Sequence, residues 1–286
     1  MKYHVDKSKD NNLPLVSIII LNYNGRPFLD KCLSTVLSSK YLNMEVIFVD
    51  NSSNDSSVDY VVKKFGGYSN LKIVVNDKNY GFAKGNNIGA KYARGKYLVF
   101  LNNDTMVDPL WLNELVKVME SDPKIGAAQC KIRLMHSPEI LHVCGHLLAP
   151  HKFVDIGFFE KDKGQYDNLP SILSSQGAAL AVRRDLFFKV QGFDKFLFSV
   201  DEDIDLCWRI WLYGYKVVFV PNAIVYHARG GTVGAAYFTR RLRNIILYTR
   251  NHLVTIIKNY SLSKLICVLP IVLTMQIIKV IYFVYK

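Results

Sequence analysis

The stretch YLVFLNNDTMVDP, residues 97–109, passes from a continuous apolar segment into two amides and a carboxylate. Its apolar part, YLVFL, predicts a strand that is buried on both faces, as in parallel sheets. Asn102, Asn103 and Asp104 follow where that strand ends. Asn and Asp are ordinary turn residues, so a solvated turn would explain them. A carboxylate at a strand end can also hold a hard cation, and the rest of the chain has to decide between the two.

Apolar runs and helical patterns alternate before this stretch. Such alternation predicts β-α-β units and a mostly parallel central sheet flanked by helices, an α/β fold. The predicted strands are residues 16–21, 45–50, 72–75 and 97–101, and the predicted helices are 27–38, 58–64 and 86–93, with another beginning after Asp108-Pro109.

Polar clusters follow three of these predicted strands, at residues 22–24, 50–52 and 102–104. In open α/β sheets, ligands bind outside the carboxyl ends of the strands. If the strands are parallel, all three clusters lie at one edge of the sheet. Independent turns would have to arise three times, so we predict a single binding site at this edge.

Four carboxylates open a helical pattern in the second half of the chain: Asp201, Glu202, Asp203 and Asp205. Apolar side chains recur at helical spacing over residues 204–213, and Gly214 fits the helix end. Acids favour helix N-termini, which explains one or two of the four. Crowded like charges also raise the pKa of at least one carboxyl group, as a general base requires. The spacing alone leaves the structural and the catalytic interpretation open.

Other short patterns are less specific. Residues 176–182, QGAALAV, predict a buried strand with a glycine that allows close approach. His227 ends the apolar run AIVYH, where a lone histidine is more often structural than functional. The turn NYGFAKGNNIG, residues 79–89, could offer backbone amides and Lys84 to a phosphate. HVCGH, residues 142–146, lacks the paired ligands of a structural zinc site, so we do not expect zinc there.

The composition bounds the partners and the compartment. A net charge of +12 and a pI near 9.3 favour anionic partners such as nucleotides, acidic lipids or nucleic acid. The five cysteines lie far apart without a CxxC pair, which indicates a reducing compartment rather than a disulfide framework. The N-terminus is polar and lacks the apolar core of a signal peptide.

The C-terminal segment differs from the rest. Residues 265–286 are almost continuously apolar and approach the roughly 20 residues that a membrane span needs. Gln276 and Lys279 argue against a clean span, and Pro270 permits a kink. The basic stretch at residues 239–258 suits the surface of an anionic membrane. We expect membrane contact here, while a buried helical subdomain or an interface of a homo-oligomer remains the alternative.

Five motifs in this order resemble the family 2 inverting glycosyltransferases with the GT-A fold, and most closely the rhamnosyltransferase-like group. They are VSIIILNYNG, VIFVDNSSNDSS, NYGFAKGNNIGA, YLVFLNNDT and DEDIDLCWR. The resemblance covers residues 15–231 and implies a catalytic domain there. Its nucleotide-binding half would end near residue 107, and its acceptor half would occupy residues 108–231. Residues 1–14 would be a polar extension, and residues 232–286 a membrane-associating helical tail.

The resemblance also implies roles for individual residues. Asp203 matches the catalytic base, and Glu202 precedes it in the family's acidic pair. Asp104 matches the last acid of the DxD motif that binds the metal on the donor diphosphate. This chain reads Asn102-Asn103-Asp104, so the first acid of the motif is missing. The other matches are Tyr23 and Asp50 to the nucleotide, His227 to the metal, and Asn103, Gln176 and Gly177 to the donor and acceptor pocket.

The function implied is sugar transfer from a UDP- or dTDP-sugar to a hydroxyl of a lipid-linked or saccharide acceptor, with Mg²⁺ or Mn²⁺, at the cytoplasmic face of the cell membrane. A sugar-phosphate nucleotidyltransferase would need a Gly-rich, basic loop after the first strand, which NYNGRPF does not supply. A basic module that binds nucleotides or nucleic acid is the non-enzymatic alternative. Its cationic residues would alternate with aromatic ones, whereas here they flank an apolar tail, so we expect no nucleic acid partner.

Overall fold

The computed structural model describes the backbone of residues 13–149, 152–229 and 237–284, and the side chains of these residues except 237–245 and 279–284. Most of the N-terminal extension, the glycines at 230 and 231, and the side chains of Arg240, Arg241 and Arg243 therefore lie outside the described residues.

Strands and helices alternate through the first half of the chain, as predicted. Two long helices are the last elements that the structure describes. The strands are β1 (Val16–Asn22), β2 (Met44–Asp50), β3 (Leu71–Val75), β4 (Tyr97–Asn102), β5 (Thr105–Val107), β6 (Ile125–Leu134), β7 (Ser137–Val143), β8 (His146–Ala149), β9 (Lys152–Asp155), β10 (Ala179–Arg183) and β11 (Lys216–His227). The helices are α1 (Arg26–Leu37), α2 (Ser57–Phe65), α3 (Gly81–Tyr92), α4 (Trp111–Ser121), α5 (Arg184–Lys189), α6 (Glu202–Leu212), α7 (Tyr237–Asn259) and α8 (Leu262–Val284).

One large sheet organises the molecule, with strand order β3-β2-β1-β4-β10-β6-β11-β5 and β7 paired to β6. β1 runs parallel to β2 and β4, and β11 runs parallel to β6, whereas β10 and β5 are antiparallel to their neighbours. The prediction of a mostly parallel sheet is thus confirmed. β8 and β9 form a separate hairpin.

Helices cover both faces of the sheet, which explains why the strands read as continuous apolar runs. Ile18 and Ile20 of β1 face the core beneath α1, α2 and α4, and Ile19 faces the core beneath α3, α5 and α6. All three side chains are fully buried. A strand in this position has no polar face, because consecutive residues point into opposite cores.

Helix α3 begins at Gly81, five residues before the predicted start at residue 86, so the expected loop is partly helix. Glycine lowers helix propensity, but here it allows close packing. A Cβ at Gly85 would lie 2.6 Å from Leu21, and one at Gly89 would lie 2.6 Å from Ile19. Tertiary packing on the sheet therefore outweighs the local preference.

One strand prediction also needs correction. β10 begins at Ala179, so residues 176–178 precede the strand instead of opening it. The apolar run AIVYH is the second part of a longer strand, β11, whose pairing with β6 shifts register between Val220 and Ile224. Pro221 lies at this irregularity, where β11 and β6 are not paired in register, so no backbone N–H is required from this residue.

The C-terminal helices form a pair with a small core of their own. Ile256 of α7 packs with Val268 and Val272 of α8, all at most 6% exposed. Gln276, one turn further on, is also buried. Within the part of the chain that the structure describes, none of the helices has both the length and the apolarity that crossing a membrane requires.

Candidate active site

The three polar strand ends meet at one edge of the sheet, as predicted. Asn22 pairs in register with Asp50, and its side-chain amide donates a hydrogen bond of 2.8 Å to the Asp50 carboxylate. The amide of Asn103 donates to the Asn22 side-chain oxygen over 2.7 Å. Residues from β1, β2 and the β4–β5 turn are thereby held in one network.

Asp50 is fully buried and already engaged. Its carboxylate accepts hydrogen bonds from Asn22, from the Ser53 hydroxyl at 2.7 Å and from the Ser53 backbone amide at 2.7 Å. Tyr23, by contrast, is 37% exposed beside this network. Lys84 lies near the start of α3, with its ammonium 3.5 Å from the centre of the Tyr80 ring. The roles of Tyr23, Asp50 and Lys84 toward a nucleotide stay predictions.

Asp104 and His227 are brought together by strand pairing. β5 pairs antiparallel with β11 so that Thr105 lies opposite His227. His227 Nε2 then lies 3.0 Å from an Asp104 carboxylate oxygen. Asp104 is only 3% exposed and His227 only 7%. A histidine that looks solitary in the sequence thus contacts the carboxylate that the sequence predicts as a cation ligand.

His142 lies between His227 and Gln176 and contacts both side chains. Its Nδ1 lies 3.1 Å from Nδ1 of His227, and its Nε2 lies 3.4 Å from the side-chain nitrogen of Gln176. Burial, reinforced by the nearby His227 and Arg229, lowers the pKa of His142 to about 3. The imidazole is therefore neutral at physiological pH and able both to donate and to accept a hydrogen bond.

Glu202 and Asp203 occupy the first turn of α6 and are 6% and 9% exposed. The backbone amides of Gly177 and Ile204 donate to the two oxygens of Asp203 over 2.6 and 2.8 Å. Glu202 Oε2 is buried without a hydrogen-bond partner among the described residues. Burial raises the pKa of both groups, and the Asp203 charge raises that of Glu202 further. Such a carboxyl pair is suited to proton transfer.

A cavity of about 610 Å³ opens in front of these carboxylates. Among the residues predicted for the site, Gln176, Glu202 and Asp203 line it. Its wall continues onto elements that the sequence did not connect to the site, namely the β8–β9 hairpin and the helices α7 and α8. The additional lining residues include His142, His146, Lys152, Phe153, Asp155, Phe158, Arg229, Tyr248, His252 and Gln276.

Asp104 and Asp203 are connected by a chain of contacts, although only Asp203 lines the cavity. Asp104 contacts His227, His227 contacts His142, and His142 reaches Gln176, whose neighbour Gly177 holds Asp203. Five of these six residues are predicted for the site from the sequence, whereas His142 is considered there only as a zinc ligand. No local pattern could have identified it, because the contact depends on the pairing of β7 with β6 beside β11.

Asp104 and His227 form a donor set that fits a divalent cation. A carboxylate oxygen and an imidazole nitrogen 3.0 Å apart are able to converge on one ion. Among the described residues, no three His, Cys, Asp or Glu side chains cluster as a metal site would require. Two protein ligands suit an ion whose remaining positions are taken by substrate phosphates and water.

Two protein-family models match the chain. The model described as Glycosyl transferase family 2 matches residues 17–169, and Glycosyl transferase family group 2 matches residues 97–285. The O-antigen biosynthesis protein RfbC of Myxococcus xanthus is 29% identical over 222 residues, which cover 75% of this chain and 17% of that protein. The poly-beta-1,6-N-acetyl-D-glucosamine synthase of Staphylococcus epidermidis is 24% identical over 234 residues, 82% of this chain and 55% of that one.

The chain thus spans only part of the length of these curated relatives. Among solved structures, the mannosyltransferase PcManGT from Pyrobaculum calidifontis in complex with GDP-Man and Mn²⁺ is similar with a TM-score of 0.63 at 20% identity. The match covers 87% of this chain and 65% of that one. At this identity the likeness concerns the fold, and it confirms the GT-A architecture.

Proposed function

The chain belongs to glycosyltransferase family 2 and is a glycosyltransferase, and we propose that it transfers a sugar from a nucleotide-sugar to an acceptor hydroxyl with inversion at the anomeric carbon. One observation carries this proposal. The buried pair Glu202–Asp203 lines the cavity, and a chain of contacts through Gln176 and His142 connects it to the buried pair Asp104–His227. Rhamnosyltransferase-like specificity within the family stays a prediction from the sequence.

Asp203 is the base in the proposed reaction. Its carboxylate takes the proton of the acceptor hydroxyl while that oxygen attacks the anomeric carbon from the side opposite the leaving nucleotide. The amides of Gly177 and Ile204 fix the carboxylate, which lowers the cost of orienting it during the reaction. A single displacement inverts the configuration and needs no covalent nucleophile.

Asp104 and His227 are the residues that would hold Mg²⁺ or Mn²⁺. When bound, the ion neutralises charge on the diphosphate of the donor as the nucleotide leaves. The donor set supports this assignment, and so does the Mn²⁺ in the complex of the structurally similar mannosyltransferase. The imidazole ligand favours Mn²⁺ over Mg²⁺, because Mg²⁺ prefers oxygen ligands.

The nucleotide would lie at the sheet edge formed by the network of Asn22, Asp50 and Asn103. Tyr23 offers an exposed ring for stacking on the base, and Lys84 offers a cation toward the phosphates. The Asp50 carboxylate already accepts hydrogen bonds from Asn22 and Ser53. We therefore propose that Asp50 orders this edge of the sheet, and that it contacts the nucleotide only when the donor is bound. UDP- and dTDP-sugars stay the expected donors.

The acceptor would be a lipid-linked or saccharide hydroxyl in the assembly of a cell-surface glycan. The names of two relatives, an O-antigen biosynthesis protein and a poly-N-acetylglucosamine synthase, support this class. The cavity beside Asp203 has the size of a small-molecule site. Its aromatic and charged lining, for example Phe158, Tyr248 and Asp155, suits the apolar faces and hydroxyl groups of sugars.

We also propose that α8 contacts the cytoplasmic face of an anionic membrane. Among the described residues, Val268, Val272 and the partly buried Leu265 of α8 pack in the core with Ile256 of α7, while other apolar side chains of α8 are exposed. Leu262, Ile266, Ile277 and Ile278 are 59% to 74% exposed. The net charge of +12 complements anionic lipid headgroups. A second copy of the chain is the competing occupant of this surface.

The experiment that tests the transferase proposal is a thermal-shift screen of nucleotide-sugars with Mn²⁺, followed by transfer assays with the donor that stabilises the protein. We predict that Asp203→Asn lowers transfer at least about a thousandfold, because the base is lost, while donor binding is retained. Asp185→Asn is the matched control, since Asp185 also lies in the first turn of a helix but outside the cavity. Retained turnover in Asp203→Asn would remove Asp203 from the role of base.

A further inference from the structure

The segment that leads into α6, the helix that carries Glu202 and Asp203, has an unusual backbone. Phe198, Val200 and Asp201 have φ angles of +59°, +77° and +63°, in the left-handed region that L-residues rarely adopt. Val200 is β-branched, which makes this conformation especially unfavourable. Glu202 and Asp203 follow directly, so the conformation of residues 198–201 decides where the two catalytic carboxylates point. Backbone strain of this kind persists only where the surroundings hold it.

Asn251 of α7 is the side chain that holds this segment. It is fully buried, and its Nδ2 lies 2.8 Å from the carbonyl oxygen of Leu197, 2.8 Å from that of Ser199 and 2.6 Å from that of Val200. Its two amide hydrogens are thus shared among three backbone acceptors. Arg250 donates to the Asn251 side-chain oxygen over 2.9 and 2.7 Å, which fixes the orientation of the amide.

Other contacts tie the same two regions together. Asn259 and Lys258 of α7 contact the buried carboxylate of Asp205 in α6 at 3.0 and 2.9 Å. The carbonyl of Phe198 accepts from the Ala83 amide at the start of α3, on the side proposed for the nucleotide. The segment therefore lies between the donor side, the catalytic helix and the C-terminal helices.

We infer that Asn251 is a positioning residue of the active site, which holds the backbone of residues 198–201, with the positive φ angles of Phe198, Val200 and Asp201, so that Glu202 and Asp203 face the cavity. Asn251 itself does not line the cavity, so it acts through the backbone that precedes the carboxylates. This inference rests on the proposed function of Asp203. It makes α7, which follows the catalytic domain in the chain, a required part of the catalytic centre.

The test compares Asn251→Ala with the wild-type full chain in the transfer assay. We expect kcat to fall about 10- to 100-fold, the loss associated with misplaced reacting groups. The donor KM should change less than kcat, because Asn251 bonds the backbone before the carboxylates and does not itself bond α3. The acidic limb of the kcat profile should move to lower pH, since water that reaches loosened carboxylates removes the burial that raises their pKa. A merely structural role for Asn251 would not shift this limb.

Val200→Gly in the Asn251→Ala background is the decisive variant. Glycine adopts a φ of +77° without strain, so the segment no longer needs the Asn251 amide to hold it. We expect the double variant to recover about a factor of ten in kcat. Should Asn251→Ala fail to fold, Asn251→Ser with and without Val200→Gly makes the same comparison.

Thr255→Val is the matched control. Thr255 lies one turn after Asn251 on α7, is fully buried, and its hydroxyl has no partner among the described residues. This variant should keep wild-type kcat. Equal kcat in Asn251→Ala and the wild type, or no recovery with Val200→Gly, would overturn the inference while leaving the transferase proposal intact. A wild-type chain without transfer activity would instead contradict the proposed function.

Discussion

Glu202 and Asp203 are adjacent carboxylates that the fold withdraws from water, and they are stabilised differently. Asp203 accepts two backbone hydrogen bonds, while one oxygen of Glu202 has no partner among the described residues. Burial of a charge without compensating hydrogen bonds is costly. Glu202 is therefore a residue at which function is expected to oppose stability.

Replacing Glu202 with glutamine should stabilise the protein in a pH-dependent manner. Burial raises the pKa of Glu202 in the folded state. An acid of this kind favours the fold below its unfolded pKa, and the contribution is lost as the pH rises through the folded pKa. Glu202→Gln should therefore raise the free energy of unfolding by about 1–3 kcal/mol at pH 8, and by less at pH 4. Urea unfolding at both pH values measures this.

The control for this measurement is Glu139→Gln on the exposed face of β7, which should change the free energy of unfolding by less than about 0.5 kcal/mol. If Glu202→Gln is no more stable than the wild type at pH 8, the buried carboxylate is not the destabilising group that its surroundings indicate.

Replacing Asp104 with alanine should weaken donor binding only when a divalent ion is present. The substitution removes the carboxylate of the Asp104–His227 pair, and loss of a metal contact typically costs about tenfold or more in affinity. Calorimetric titration of the donor with Mn²⁺ measures the change. With EDTA in place of Mn²⁺, the variant and the wild type should bind equally. The same affinity in Mn²⁺ for both proteins would contradict the metal assignment.

At the scale of elements, α3 depends on glycine at its first position. Gly81 has a φ of +76°, and a Cβ there would lie 2.5 Å from the Phe198 ring. The start of α3 thus packs against the segment that precedes α6. Only a residue without a side chain allows both the conformation and the contact.

Gly81→Ala should lower the free energy of unfolding by about 1–3 kcal/mol, because it adds backbone strain and displaces the Phe198 ring. Gly67→Ala is the matched control, since a Cβ at Gly67 would meet no atom within 4 Å. Thermal or urea unfolding of the two variants gives the comparison. Equal midpoints for both would mean that the contact of α3 with Phe198 does not constrain the fold.

At the scale of the whole molecule, the exposed apolar side chains are unevenly distributed. Many of the most exposed ones lie on α7 and α8, outside the two cores that flank the sheet. Several exposed apolar side chains on neighbouring helices are typical of a contact with a membrane or another protein. The placement of α7 and α8 beside the cavity would bring the catalytic centre close to that contact.

Ile266→Asp combined with Ile277→Asp should abolish binding to vesicles that contain phosphatidylserine, because the charges oppose burial of α8 in the interface. Both positions are highly exposed, at 66% and 60%, so the fold should be unaffected. Leu42→Asp with Leu212→Asp is the control, since these residues are 60% and 62% exposed elsewhere on the surface. Vesicle flotation measures binding, and light scattering tests for a dimer. Undiminished flotation, or a dimer that the Asp variants dissociate, would point away from the membrane.

The sequence by itself determined the α/β class, the strands of the nucleotide half and the meeting of three polar strand ends. The hydrophobic period, the length of an apolar run and the residues of a turn are local properties that a sequence shows directly. The strand ends meet because parallel strands bring their carboxyl ends to one edge of the sheet. Only the tertiary structure decided that His142 joins His227, that α3 begins at Gly81, and that Asn251 holds the segment before Glu202. These features depend on residues that are far apart in the chain. They arise because tertiary packing outweighs local propensity, and a local sequence pattern does not contain that information.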